Sequence, residues 1–195
     1  MIDLRLNHLY ARSNKSRGAL MGVGTISNAV YDRIGGVLER ALTGLTYEQL
    51  TTQPAGRESN PIGWIAWHLI RTQDHNYSIL ADKASLWIEN EWHKQFNLPQ
   101  DRGTGNGDSL DQVRSFDPIS SELLLSYHKA ARERSREYLE NLSEEDLDRP
   151  SPESMRERDQ VVKVTIARVT GDLMQHIGQI AYIRGLVDEH GWYGA

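Results

Sequence analysis

Four stretches of the chain place apolar side chains every three or four positions, the spacing of one helix face, and this periodicity limits the fold more than any other feature. The first runs from about Ile26 to Leu45 on Val30, Ile34, Val37, Leu38, Ala41 and Leu42. Gly44 lies near its end, and Gly35-Gly36 marks either a weak spot or a close contact. The second opens at Asn60-Pro61, a capping residue ahead of a first-turn proline, and continues through Ile62, Ile65, His68, Leu69, Thr72 and Ile79 toward Trp87. The third spans about Ile119 to Leu142 on Leu123, Leu124, Tyr127, Ala130, Ala131, Tyr138 and Leu139, and its charged run reads as the solvated face. The fourth starts between Val161 and Ile166 and ends near Glu189, although the β-branched run from Val161 to Ile166 could open as an extended segment.

Between the second and third stretches the periodicity disappears. Residues His93 to Pro118 form a polar segment containing Gly103-Thr104-Gly105-Asn106-Gly107, and so long a loop in a compact domain either covers a site or moves, with room for a short helical piece. The expected fold is therefore all-α, a four-helix bundle with a long loop between its second and third helices. A short echo accompanies it: Leu45 to Leu50 and Leu142 to Leu147 each follow a long helix and carry a hydroxyl N-cap, Thr46 or Ser143, with an acidic residue two positions on. This echo suggests two helical hairpins related by pseudo-symmetry, with the second and fourth helices in equivalent positions.

A chain of 195 residues can support one domain with its own core. We expect it over residues 25–195, preceded by an N-terminal extension over residues 1–24. The net charge of -5, with both signs interspersed, provides no basic stripe, which argues against nucleic acid or an anionic membrane as partner. No run has the length of a transmembrane helix, and Met1 to Gly24 lacks the apolar core of a signal peptide, so the expected location is cytoplasmic. The absence of cysteine excludes disulfides, thiolate ligands and a protein thiol as nucleophile.

The chemistry concentrates in two of the helices. Asp172 and His176 lie one turn apart on a single face of the fourth, and His68 could reach them from a neighbouring antiparallel helix. Three nitrogen and oxygen donors with the remaining positions open suit a catalytic metal centre, whereas structural zinc is normally closed by four ligands. A histidine on an apolar face is by itself more often a hydrogen-bonded core residue, and an Asp and His pair at this spacing is commonly exposed. Against that, Leu173, Ile177, Ile180 and Ile183 mark the fourth helix as substantially buried.

Other candidates are weaker. His75, two turns beyond His68, either lines the same cleft or has an exposed or capping role. Gly178 permits close helix approach, and Gln179 can satisfy a neighbouring polar group without binding metal itself. Trp64, Trp67, Trp87 and Trp92 read as core and loop anchors, because they lack the basic companions of a base-stacking platform. His8, His93, His128 and His190 show no ligand spacing, Gly103 to Gly107 lacks the lysine of a phosphate loop, and no Gly-x-Ser-x-Gly elbow occurs. No residue stands out as a general base.

Gly63-Trp64-Ile65-Ala66-Trp67-His68-Leu69, the Leu-Thr-x-x-x-Leu turn at Leu45 to Leu50, and His176-x-Gly178-Gln179-Ile180 resemble the DinB superfamily of metal-binding four-helix proteins. The resemblance covers about Ile26 to Val187. The usual family pattern has a histidine on the second helix and a His-x-x-x-His pair on the fourth; here the first member of that pair is Asp172, and the related mycothiol-dependent maleylpyruvate isomerases carry a carboxylate at this position. The resemblance implies His68, Asp172 and His176 as ligands of a divalent metal, zinc or nickel foremost. It also implies a thiol-dependent S-transferase or isomerase-like detoxifying activity on a small electrophile, with a low-molecular-weight thiol. Relatives that resemble metal-dependent hydrolases leave hydrolysis open, and a non-catalytic metal-binding stress-response protein is the reading from another class. A homodimer is implied too, with Trp87, Trp92, Phe96 and Trp192-Tyr193 as candidate interface residues and the long loop against the partner.

Overall fold

The computed structural model describes residues 22–54, 58–187 and 192. In chain order it contains α1 (Val23–Leu42), the short α2 (Tyr47–Thr51), α3 (Ile62–Leu80), the short α4 (Leu86–Glu89), α5 (Trp92–Gln95) and α6 (Leu110–Arg114), then α7 (Ser121–Glu140) and α8 (Val162–Val187). The fold is all-α, and the four long helices are α1, α3, α7 and α8. The expected N-terminal extension lies almost wholly outside the described residues. Among the described residues no helix is long and apolar enough to cross a membrane.

Helix α3 packs against both α7 and α8, and α1 packs against the same two. Helices α1 and α3 therefore lie across the bundle from one another, as do α7 and α8, which corrects the expectation of two helical hairpins. Their directions follow from the contacts. Gly24 approaches Leu139 while Gly35 approaches His128, so α1 and α7 are antiparallel. Arg71 reaches Tyr127 and Ser78 reaches Arg134, so α3 and α7 are parallel. His68 meets His176 while Asn76 meets Arg168, which makes α8 the antiparallel neighbour of α3.

The core is the interior of this square. On α1, Ile34, Leu38, Ala41 and Leu42 are buried at the spacing the sequence shows, each large side chain contributing roughly 1.5–3 kcal/mol over its exposed state. Nearly all of α3 is buried because the polar segment after it closes over the face that α7 and α8 leave open. Of the two glycines in α1, a Cβ at Gly35 would come within 2.9 Å of the His128 ring, whereas Gly36 has open space. The close contact is thus at Gly35.

The helix ends differ in detail from expectation. Pro61 is the N-cap of α3, with extended backbone and its carbonyl accepting from Ile65, and Asn60 does not cap. Helix α3 stops at Leu80 rather than reaching Trp87. Asp82 turns the chain at φ 53, and the buried Asp74 carboxylate accepts the N–H groups of Leu86 and Trp87, supplying the cap of α4 from a distance. The Thr46 turn closes as a capping box with Gln49, and the Ser143 turn closes with Asp146 into a 3₁₀ turn over Glu145–Asp148, so the echo is real but its third residue, not its second, completes each motif. Val161 forms an isolated antiparallel bridge with Pro150, and the helix begins one residue later, so the β-branched run is extended only at its first member.

Two expectations about exposed residues fail. The charged run of α7 is not all solvated: Arg132 and Arg134 are buried, the first bonded to Asp32 and to the Asn28 carbonyl, the second to Glu89 and the Ala84 carbonyl. Long aliphatic stems let these arginines cover the core while their heads pair at its edge. Trp87, Trp92 and Phe96 belong to the core, where they pack around Tyr127, and they offer no interface surface. Trp192 donates to the Ala181 carbonyl, and Tyr193 lies outside the described residues.

Candidate metal centre

His68, from the first half of α3, meets Asp172 and His176 from the middle of α8. One donor atom of each lies within 4.8 Å of the other two, the one such cluster of three or more among the described residues. The two imidazoles cross edge to face with centroids 4.6 Å apart. His176 Nε2 is 3.7 Å from an Asp172 oxygen, an ion-pair rather than a hydrogen-bond separation.

Both rings have the same nitrogen, Nδ1, engaged by an oxygen acceptor. His68 Nδ1 is 2.7 Å from the Thr104 carbonyl, which can only accept, so this nitrogen carries the proton and Nε2 keeps its lone pair. His176 Nδ1 donates to Gln179 Oε1 at 2.8 Å, one turn further along α8, which again frees Nε2. An oxygen acceptor behind each imidazole is the arrangement that fixes tautomer and orientation in metal-binding histidines. Asp172 completes the set: its Oδ2 is buried and has no hydrogen-bond partner. Two imidazole nitrogens and an orphaned carboxylate oxygen form a donor set that fits a borderline divalent ion.

The electrostatics agree with that geometry. Burial pushes His68 below the ordinary imidazole range, against the Thr104 hydrogen bond that raises it. Burial also lowers His176, but the neighbouring Asp172 and the Gln179 hydrogen bond outweigh it, leaving the imidazole more basic than usual. The His176 imidazole in turn holds Asp172 below the usual carboxylate range despite desolvation.

The polar segment makes this site. Its Gly103-to-Gly107 turn carries the Thr104 carbonyl to His68, and Gly105, at φ 92, packs where a Cβ would meet Trp67 at 2.8 Å and Trp64 at 3.0 Å. Asp108 accepts from Trp64 Nε1 at 3.1 Å and pairs with Arg102, whose carbonyl accepts from Arg71. Trp64 then stacks flat on His68, 3° from parallel at 5.1 Å. Of the two alternatives open from sequence, the segment covers a site. Sequence reasoning did not find the roles of Thr104 or Trp64; the glycine run was the available signal, since such runs mark close backbone approach.

Beside the centre lies a cleft of about 550 Å³ lined by His68, Thr72, His75, Arg168 and Asp172 among others. His75 thus faces the same cleft. His93 Nδ1 donates to the Trp87 carbonyl and His128 abuts Gly35, both away from the centre, while His8 and His190 lie outside the described residues. The buried tryptophans act as core and loop anchors.

Comparison with known proteins agrees with this architecture. The sequence profile of the DinB superfamily matches residues 31–180, and the chain belongs to that superfamily. A crystal structure of a conserved protein from Enterococcus faecalis is similar in fold, with a TM-score of 0.77 at 24% identity, covering 87% of this chain and 99% of that one. No curated protein matches the sequence.

Proposed function

We propose that His68, Asp172 and His176 hold a divalent ion, zinc or nickel foremost, and that the protein is a thiol-dependent S-transferase or isomerase-like enzyme acting on a small electrophile. The observation that carries this reading is the convergence of three donors with both histidines presenting Nε2 and an unpartnered Asp172 oxygen among them. When bound, the ion would supply positive charge that favours the thiolate form of a thiol at neutral pH. The chain's own residues do the rest. Thr104 and Gln179 hold the imidazoles in place, Asp172 offsets one positive charge, and the Trp64 ring shields one face of His68 from water. The adjoining cleft offers room for an electrophile within reach of the donors.

Metal analysis of protein purified without a histidine tag tests the first half of the reading. We expect about one ion per chain, sharply reduced in Asp172→Ala with helical content unchanged, because a three-donor site does not easily lose its charged member. Unchanged metal content in that variant would refute the assignment. Turnover of monochlorobimane with cysteine, glutathione or coenzyme A tests the second half, and a metal-loaded protein that conjugates none of them would favour the hydrolase or stress-response reading.

A further inference from the structure

Arg168 lies one turn before Asp172 on α8 and is held in place more firmly than a side chain one-third exposed requires. Its Nε donates to both oxygens of Asp159, at 3.0 and 2.8 Å, and its Nη2 donates to Asn76 Oδ1 at 3.0 Å. Asp159 is itself buried, 1% exposed, just ahead of α8, and Asn76 is fixed by its own bond to the Thr72 carbonyl. One edge of the guanidinium is thereby occupied. None of these bonds uses Nη1, and Arg168 lines the cleft that contains His68 and Asp172. Arg158, exposed, lines the same cleft, as do His75 and the acidic Glu157.

We propose that Arg168, clamped by Asp159 and Asn76, binds a carboxylate or similar oxyanion on the ligand, so that the ligand is held by an anionic group one helical turn from its reacting end. An arginine whose rotamer is already fixed loses less freedom on binding, and a planar N–H donor favours an oxyanion over a neutral carbonyl. The ligand class is then a small acid: a carboxylate-bearing electrophile or an acidic thiol. This assignment rests on the proposed function only in taking the cleft as the substrate site; the arginine, its clamp and its open donor do not depend on a metal. The alternative role for Arg168 is purely architectural, a staple that fixes the segment before α8.

The two roles separate by titrating metal-free protein with glutarate and with its neutral analogue glutaramide, followed by amide NMR. Glutarate should saturably shift the amides of Thr72, His75 and Met155, glutaramide should not, and Arg168→Gln should weaken the glutarate effect about tenfold or more. Because that variant leaves Asp159 buried and unpaired, Asp159→Asn/Arg168→Gln serves as the folded control, keeping hydrogen-bonding groups without the charges. Equal shifts from glutaramide, no shifts from glutarate, or unchanged glutarate binding in the double variant would overturn the proposal. On zinc-loaded protein, mercaptopropionate should bind about tenfold tighter than mercaptoethanol, a preference lost in the double variant. If neither thiol binds there while glutarate still does, the thiol-dependent function fails and the anion site stands.

Discussion

Gly105 shows how closely the centre is built. Any side chain at this position meets the Trp67 and Trp64 rings, and φ 92 is strained for every residue with a Cβ. Gly105→Ala should destabilise the protein by about 1–3 kcal/mol and, by moving the Thr104 carbonyl off His68, lower metal affinity as well. Parallel denaturant and metal titrations would show both, and full metal affinity in this variant would remove Thr104 from the account. His128 permits a second test at this scale. Desolvation at the α1 contact and the nearby Arg132 lower it from 6.5 to about 4. The unfolded chain therefore takes up this proton first as pH falls, so stability is complete above about pH 6.5 and declines toward about pH 4. His128→Gln should abolish a loss of about 2–3 kcal/mol across that window, measured as urea midpoints at several pH values; an unaltered slope would place the acid sensitivity elsewhere.

Among the elements, α4 cannot stand alone. A helix of four residues cannot offset its own nucleation cost, and it exists because Asp74 caps it from inside α3 while also accepting from Tyr127 and Ser78. This carboxylate also pairs with Arg71, which reaches the Arg102 carbonyl and so joins the core to the segment over the centre. Asp74→Ala orphans several buried donors and should cost about 3–5 kcal/mol, whereas Asp74→Asn keeps part of the acceptor capacity and should cost less. Hydrogen exchange should show α4 and residues 102–108 losing protection together in the alanine variant. Loss confined to α4 would mean that the segment is held independently.

At the scale of the molecule, the homodimer expected by resemblance loses Trp87, Trp92 and Phe96 as anchors. The exposed large apolar residues on the long helices are Val23, Ile26, Val164, Met174, Tyr182 and Leu186, all on α1 and α8. If two copies associate through helices, α1 and α8 are where apolar burial would drive them. Sedimentation of wild type against Tyr182→Glu tests the expectation: a dimer converted to monomer supports it, and a wild-type monomer at micromolar concentration disposes of it.

Except for the end of α3, which stops at Leu80 well short of Trp87, periodicity alone marked out the four long helices to within a few residues, because a side chain's position on a helix face depends only on local spacing. The same locality placed Asp172 and His176 on one face, and the motif around His68 indicated the family. What sequence left open were relations between distant segments. That α1 and α3 lie across the bundle from one another, that α7 arginines pair at the core edge, and that Trp87 and Phe96 turn inward all depend on which surfaces meet after packing. The centre shows the division most clearly: the three donors were legible as residue types at the right intervals, but the Thr104 carbonyl that fixes the His68 tautomer belongs to a glycine-rich main chain that signals close approach without indicating its partner. Only the tertiary fold brings that carbonyl across, because its position is set by the Trp64, Asp108 and Arg102 contacts that hold the glycine turn.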